Sequence, residues 1–196
     1  LSTYAVPKNL IGRQELSGTA SSVTFSSIPQ TYDHLELSVY ARAVGTAVGT
    51  RAIGVDVNAD STAANYTSQV LYGQDSTITA YQADNQHLFT VPAQTAGANH
   101  FGGGSVTFYN YANTDRHKHY LAYGGYEGSN NGVISMKWES QAAISSLVVN
   151  LNADSLVAGS VFELRGIHAD IAPVAGSASA IEKLNGIAAT DIEAIN

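Results

Sequence analysis

The chain has 196 residues, 44% of them hydrophobic and only 13% charged, with 18 glycines, 11 tyrosines and no cysteine. That length suits one sizeable β-rich core with an appendage, and the missing thiols exclude a disulfide framework and any thiolate zinc site. Nine basic against sixteen acidic residues leave a net charge of −7, which argues against a nucleic-acid partner, because phosphate recognition needs clustered cations.

The expected division is an N-terminal arm or edge strand over residues 1–16, a sandwich over 17–170, and a linker with a docking tail over 171–196. Within the first, Gly12 to Leu16 reads as an edge strand. Val23 and Phe25 then alternate with small polar residues, Pro29 turns the chain, and His34 to Arg42 sets Leu35, Leu37, Val39 and Ala41 on one face, the two-residue period of a half-buried strand. Arg51–Asn58, Thr67–Tyr72, Thr77–Gln82 and His87–Val91 continue the pattern. Gly102-Gly103-Gly104 permits a close backbone approach ahead of Val106 and Phe108. His117–Tyr126 and Val133–Ser140 flank the hairpin-type turn Asn130-Asn131-Gly132, and Ile144–Asn150 and Val161–Ile167 complete ten or eleven strands. Many short strands at about ten-residue spacing predict an all-β fold, an antiparallel β-sandwich of jelly-roll-like type.

Beyond residue 170 the pattern changes. Ile181-Glu182-Lys183-Leu184-Asn185 is repeated imperfectly as Ile192-Glu193-Ala194-Ile195-Asn196, each copy preceded by a capping-box pair, Ser179 with Glu182 and Thr190 with Glu193. These predict short helical turns, the first ended by Gly186, in a tail that docks through Ile181, Leu184, Ile192 and Ile195. No apolar run reaches the roughly 18 residues of a membrane span and no basic-then-apolar signal opens the chain, so no membrane insertion is expected.

Four groups of residues invite a chemical reading. Asp56, Asn58 and Asp60 have the spacing that opens a calcium loop, but Ser61 replaces the glycine and Thr67 the bidentate glutamate of that motif, so hydrogen bonding of Asn58 and Asp60 to their own turn backbone is the better reading. His117 and His119, with Lys118 between them, fall on one face of the predicted strand and around a three-fold axis would offer six nitrogens to a metal ion, or else line a solvated or inter-subunit face. Tyr109, Tyr111 and Trp138 lie in an aromatic-rich region in which alternation places Tyr109 and Tyr111 on one side; it suits a glycan platform, or else one face packs in the core and the other forms a subunit contact. No nucleophile elbow, zinc-protease helix motif or phosphate loop is present, so no catalytic residue and no cofactor is assigned.

The phrase SGTASSVTFSSIPQTYDHLELSVYARA, from Ser17 to Ala43, resembles the opening of a widespread group of bacteriophage virion proteins, the tail, decoration and minor structural proteins. Three later stretches resemble the same group: Val57-Asn58-Ala59-Asp60 with Asn65-Tyr66, where Ala59 stands in place of the usual glycine; Tyr109 to Asn113; and Ala158 to Ile167. The resemblance spans about residues 15–168. It implies a non-enzymatic virion component, assembled in the host cytoplasm and released by lysis. The expected partners are further copies of the chain, with a trimer favoured, and capsid or tail subunits. A capsid decoration or cement role is the first expectation; a tail or fibre component that binds a host surface glycan is the alternative.

Overall fold

The computed structural model describes residues 8–45, 49–126, 131–151, 154–168, 183–184 and 187–188. The chain divides into two units, residues 7–168 and residues 1–6 with 169–196. The larger unit is built from β1 (Lys8–Glu15), β2 (Ser22–Phe25), β3 (His34–Ala41), β4 (Thr50–Val57), β5 (Tyr66–Gln74), β6 (Thr77–Ala83), β7 (His87–Pro92), β8 (Gly102–Tyr109), β9 (Lys118–Gly125), β10 (Asn131–Trp138), β11 (Leu147–Leu151) and β12 (Val161–Ile167). One turn of 3-10 helix, Ala63–Asn65, precedes β5, and no α-helix occurs among the described residues. None is long and apolar enough to cross a membrane.

Two antiparallel sheets pack face to face, one in the order β1-β12-β3-β8-β9-β10-β5-β6 and the other in the order β2-β11-β4-β7. Eight of these strands pair in nested fashion, β1 with β12, β2 with β11, β3 with β8 and β4 with β7, which is the jelly-roll winding. The other four arrive as two insertions, β5–β6 between β4 and β7 and β9–β10 between β8 and β11. Both insertions join the same sheet, beyond β8, and so double its width.

The alternation read in the sequence sets the core. Leu35, Leu37, Val39 and Ala41 of β3 point inward, as do Val106 and Phe108 of β8, Tyr120 and Ala122 of β9, and Phe162 and Leu164 of β12, against Ile53, Val55, Val57, Leu147 and Val149 of the smaller sheet. At the junction of the jelly roll with the inserted strands, Gly104 faces Gly124 across the β8–β9 ladder. The Phe89 ring of β7 lies on this pair: a Cβ on Gly104 would stand 2.6 Å from Phe89 Cε1 and 2.4 Å from the Tyr123 carbonyl oxygen, and one on Gly124 would stand 2.8 Å from Phe89 Cγ. The glycine runs are therefore a seat for an aromatic ring.

In the smaller unit β13 (Lys183–Leu184) pairs antiparallel with β14 (Ile187–Ala188). This corrects the first expected helical turn: the backbone at Lys183 and Leu184 is extended and paired with Ile187 and Ala188, while the capping-box pair Ser179 and Glu182 lies outside the described residues. The second repeat lies outside the described residues.

Candidate functional site

The structure separates the aromatic residues that the sequence grouped. Tyr109 ends β8 with its ring on the outer face, but Asn110 takes a positive φ of 47° and reverses the alternation, so Tyr111 turns into the core with 0% exposure. Its hydroxyl donates to the Pro29 carbonyl oxygen. Trp138 is 4% exposed, because it shares the inward phase of Ile134 and Met136 on β10, and its indole Nε1–H donates to Asp60 Oδ2 at 2.8 Å. Tyr111 and Trp138 are therefore core residues and not a glycan platform or subunit contact; of the three only Tyr109 faces outward.

The two histidines part in a similar way. β9 begins at Lys118, so His117 precedes the strand and only His119 lies on its outer face. There His119 Nε2 shares a hydrogen bond of 2.9 Å with Ser135 Oγ and its ring stacks beside Tyr109 at 6.0 Å, with His34 on the other side of Tyr109 at 5.4 Å. Among the described residues no three His, Cys, Asp or Glu side chains converge as a metal site. Lys118 between the histidines is buried, and its ammonium donates to the carbonyl oxygens of Asn113, Arg116 and Gln141 at 2.5, 3.1 and 2.9 Å. Burial pulls its pKa down, against the opposing pull of Asp115.

The oxygen-rich turn after β4 is structural. Asp60 accepts hydrogen bonds from Trp138, Asn65 and the Thr62 N–H, which hold its carboxyl below the usual range, the indole most strongly. Asn58 reaches further than its own turn. Its Oδ1 accepts from the N–H groups of Ser145 and Ser146 at 2.8 and 3.1 Å, and its Nδ2 donates to the Ala143 carbonyl oxygen. Asn58 and Ala59 both adopt the left-handed conformation, with φ of 52° and 59°. Of the tail residues, Leu184 falls in β13 and Ile181, Ile192 and Ile195 lie outside the described residues.

Two concavities border β7. A cleft of about 80 Å³, where β5 and β6 extend past β7, is lined by Tyr72, Tyr81, Asn85, His87, Phe89 and Thr90 among others. It is well below the several hundred Å³ of an enclosing ligand site, so it suits the edge of a ligand rather than a whole one. A shallower groove of about 410 Å³ outside the smaller sheet is bordered by Asp56, Ser61, Asn85, His87 and Asn150. Burial raises the Asp56 pKa, against a hydrogen bond from Asn150 Nδ2, and lowers that of His87. No hydrogen bond joins Asp56 to His87 among the described residues.

The most distinctive surface is the outer face of the large sheet. Across β1, β12 and β3 it is laced with ion pairs: Lys8 with Glu36 at 2.6 Å, Arg13 with Glu163 at 3.3 Å and Arg165 with Glu163 at 2.6 Å. Across β9, β10, β5 and β6 the central row is apolar, with Tyr123 beside Val133, Val133 beside Leu71 and Leu71 beside Ala80. Ile78 lies one step along β6 on the same face and is 78% exposed; Tyr123, Val133 and Leu71 are also exposed. The residues that form this patch could have been found in the sequence. Val70-Leu71-Tyr72 is an unbroken apolar run within a strand, so one member must face out, and Thr77 to Ala83 contains no charge.

Fold and surface together define an all-β jelly-roll protein with an exposed apolar row on the outer face of its larger sheet. No protein-family model matches the chain, and no curated protein matches it either.

Proposed function

We propose that the protein is a non-enzymatic structural component of a bacteriophage virion, a capsid decoration or surface accessory protein that assembles with copies of itself and with capsid subunits. The observation that carries this reading is the apolar outer row Tyr123, Val133, Leu71 and Ile78 on a jelly-roll sheet, since an exposed apolar patch rimmed by polar residues marks a protein interface. The jelly roll itself is shared by capsid and lectin domains and by itself specifies no function. The resemblance of Ser17 to Ala43 to phage virion proteins adds the context. An antibody raised against residues 7–168 and applied to intact phage particles should decorate the head surface at high copy number. Label confined to the tail would transfer the protein to the alternative placement, and particles without label would overturn the virion reading.

The alternative, a glycan-binding tail or fibre module, is supported by the Tyr72–Tyr81 cleft, where two rings meet edge to face at 6.0 Å beside His87 and Asn85. Glycan-array binding lost in Tyr81→Ala, with the melting temperature retained, would favour it. Tyr111→Ala and Trp138→Ala would not serve this test, because both remove core.

A further inference from the structure

An antiparallel sandwich has sheet edges, and each leaves a row of unpaired N–H and C=O groups that recruits another strand unless it is guarded. Of the four edges of the two sandwich sheets among the described residues, three are guarded. β1 carries Lys8, Arg13 and Glu15 and a register shift between Leu10 and Gly12. β2 has only four residues, and the Gln14 side chain donates to its Thr24 carbonyl oxygen at 2.7 Å. β7 ends at Pro92, which has no N–H to offer. The fourth edge, β6, is seven residues long (Thr-Ile-Thr-Ala-Tyr-Gln-Ala), pairs with β5 without a register shift, and contains no charge, proline or glycine.

We infer that β6 is a two-fold seam, at which it pairs antiparallel with β6 of a second copy of this chain to join two eight-stranded sheets into one. An open edge calls for an extended strand, and β6 is complementary to itself. Centring the axis on Ala80 pairs all seven residues, with Thr77 opposite Ala83 of the partner subunit, Ile78 opposite Gln82 of the partner subunit and Thr79 opposite Tyr81 of the partner subunit. Charge favours this meeting over others. Each copy carries −7, so identical chains approach best where neither brings a charge, and the nearest carboxylates, Asp75 and Asp84, lie outside the paired residues. The apolar row gains as well: Tyr123, Val133, Leu71 and Ala80 would run on into the same row of the partner, covering Ile78 at the seam. The seam is isologous, whereas a three-fold ring uses a heterologous contact, so the trimer expected from the sequence needs a different face. The seam does not depend on where in a particle the protein sits.

Because the chain has no cysteine, a single introduced thiol reads the register cleanly. Directly opposed residues of an antiparallel pair have Cα atoms about 4.5 to 5.5 Å apart, within disulfide range. Full-length Ala80→Cys treated with diamide should become a covalent dimer, while Ala83→Cys on the same strand and Leu10→Cys on the guarded edge stay monomeric. In sedimentation velocity Ala80→Lys, which sets two lysines face to face, should weaken wild-type association by at least about tenfold with an unchanged melting temperature. Crosslinking of Ala80→Cys no greater than that of Leu10→Cys, or association untouched in a folded Ala80→Lys protein, would overturn the seam.

Discussion

The two halves of the large sheet share a backbone ladder and differ in how charge is distributed over the face turned to solvent. On the β1-β12-β3 side the outer face is a lattice of ion pairs ending in a charged, bulged edge. On the β9-β10-β5-β6 side it is an apolar row ending in a regular, neutral edge. The first half pairs its charges, and the second leaves Tyr123, Val133, Leu71 and Ile78 exposed, the row that the proposed seam would extend. The boundary between them coincides with the boundary between the jelly roll and its two insertions, so the exposed apolar row belongs to the inserted strands.

The largest expected effect lies at the boundary itself. Gly104→Ala drives a Cβ into Phe89 and the Tyr123 carbonyl, and should cost about 3 kcal/mol in denaturant unfolding. Lys118→Met is next. It strips three carbonyl oxygens of their shared donor at the start of β9 and should cost about 2 kcal/mol by the same measurement. Tyr120→Phe should act in the opposite direction. The Tyr120 hydroxyl is buried with no hydrogen-bond partner among the described residues, so its removal should stabilise by about 1 kcal/mol. Burial also raises the Tyr120 pKa. Its share of stability is complete below the unfolded value near pH 10 and is lost as pH rises toward the folded one, so the advantage of Tyr120→Phe should widen in alkaline melts.

Smaller effects sharpen the contrast. Ala59→Gly relieves a left-handed alanine in the turn that launches the β5–β6 insertion and should stabilise by about 0.5 kcal/mol. Glu163→Gln, in the charged half, should lower the melting temperature only slightly near neutral pH and not at all in acid. The Glu163 carboxyl is held below its usual range, chiefly by the Arg165 hydrogen bond, so its contribution is present above the unfolded pKa and is lost as pH falls through the folded one. That contribution is exposed and screened by salt.

Strand positions were legible because burial on one face imposes a two-residue period. Val161–Ile167 was read to the residue and Thr77–Gln82 to within one. The nested pairing was not legible, because partners such as Leu37 and Leu164 are far apart in the chain and alternation says nothing about which strands meet. Tyr111 was misplaced by a single left-handed residue, Asn110, that no alternation rule anticipates. Trp138 could have been placed correctly, since it shares the phase of Met136 and Ile134. The missed surface was written as an absence of charge between Thr77 and Ala83, which becomes informative only once that strand is known to be an edge.

Hydrogen–deuterium exchange at increasing protein concentration tests the contrast between the halves most directly. Amides of Thr77–Ala83 should slow as concentration rises while those of Lys8–Glu15 keep a constant rate. Equal behaviour of the two edges, or protection that grows at β1 instead, would contradict it.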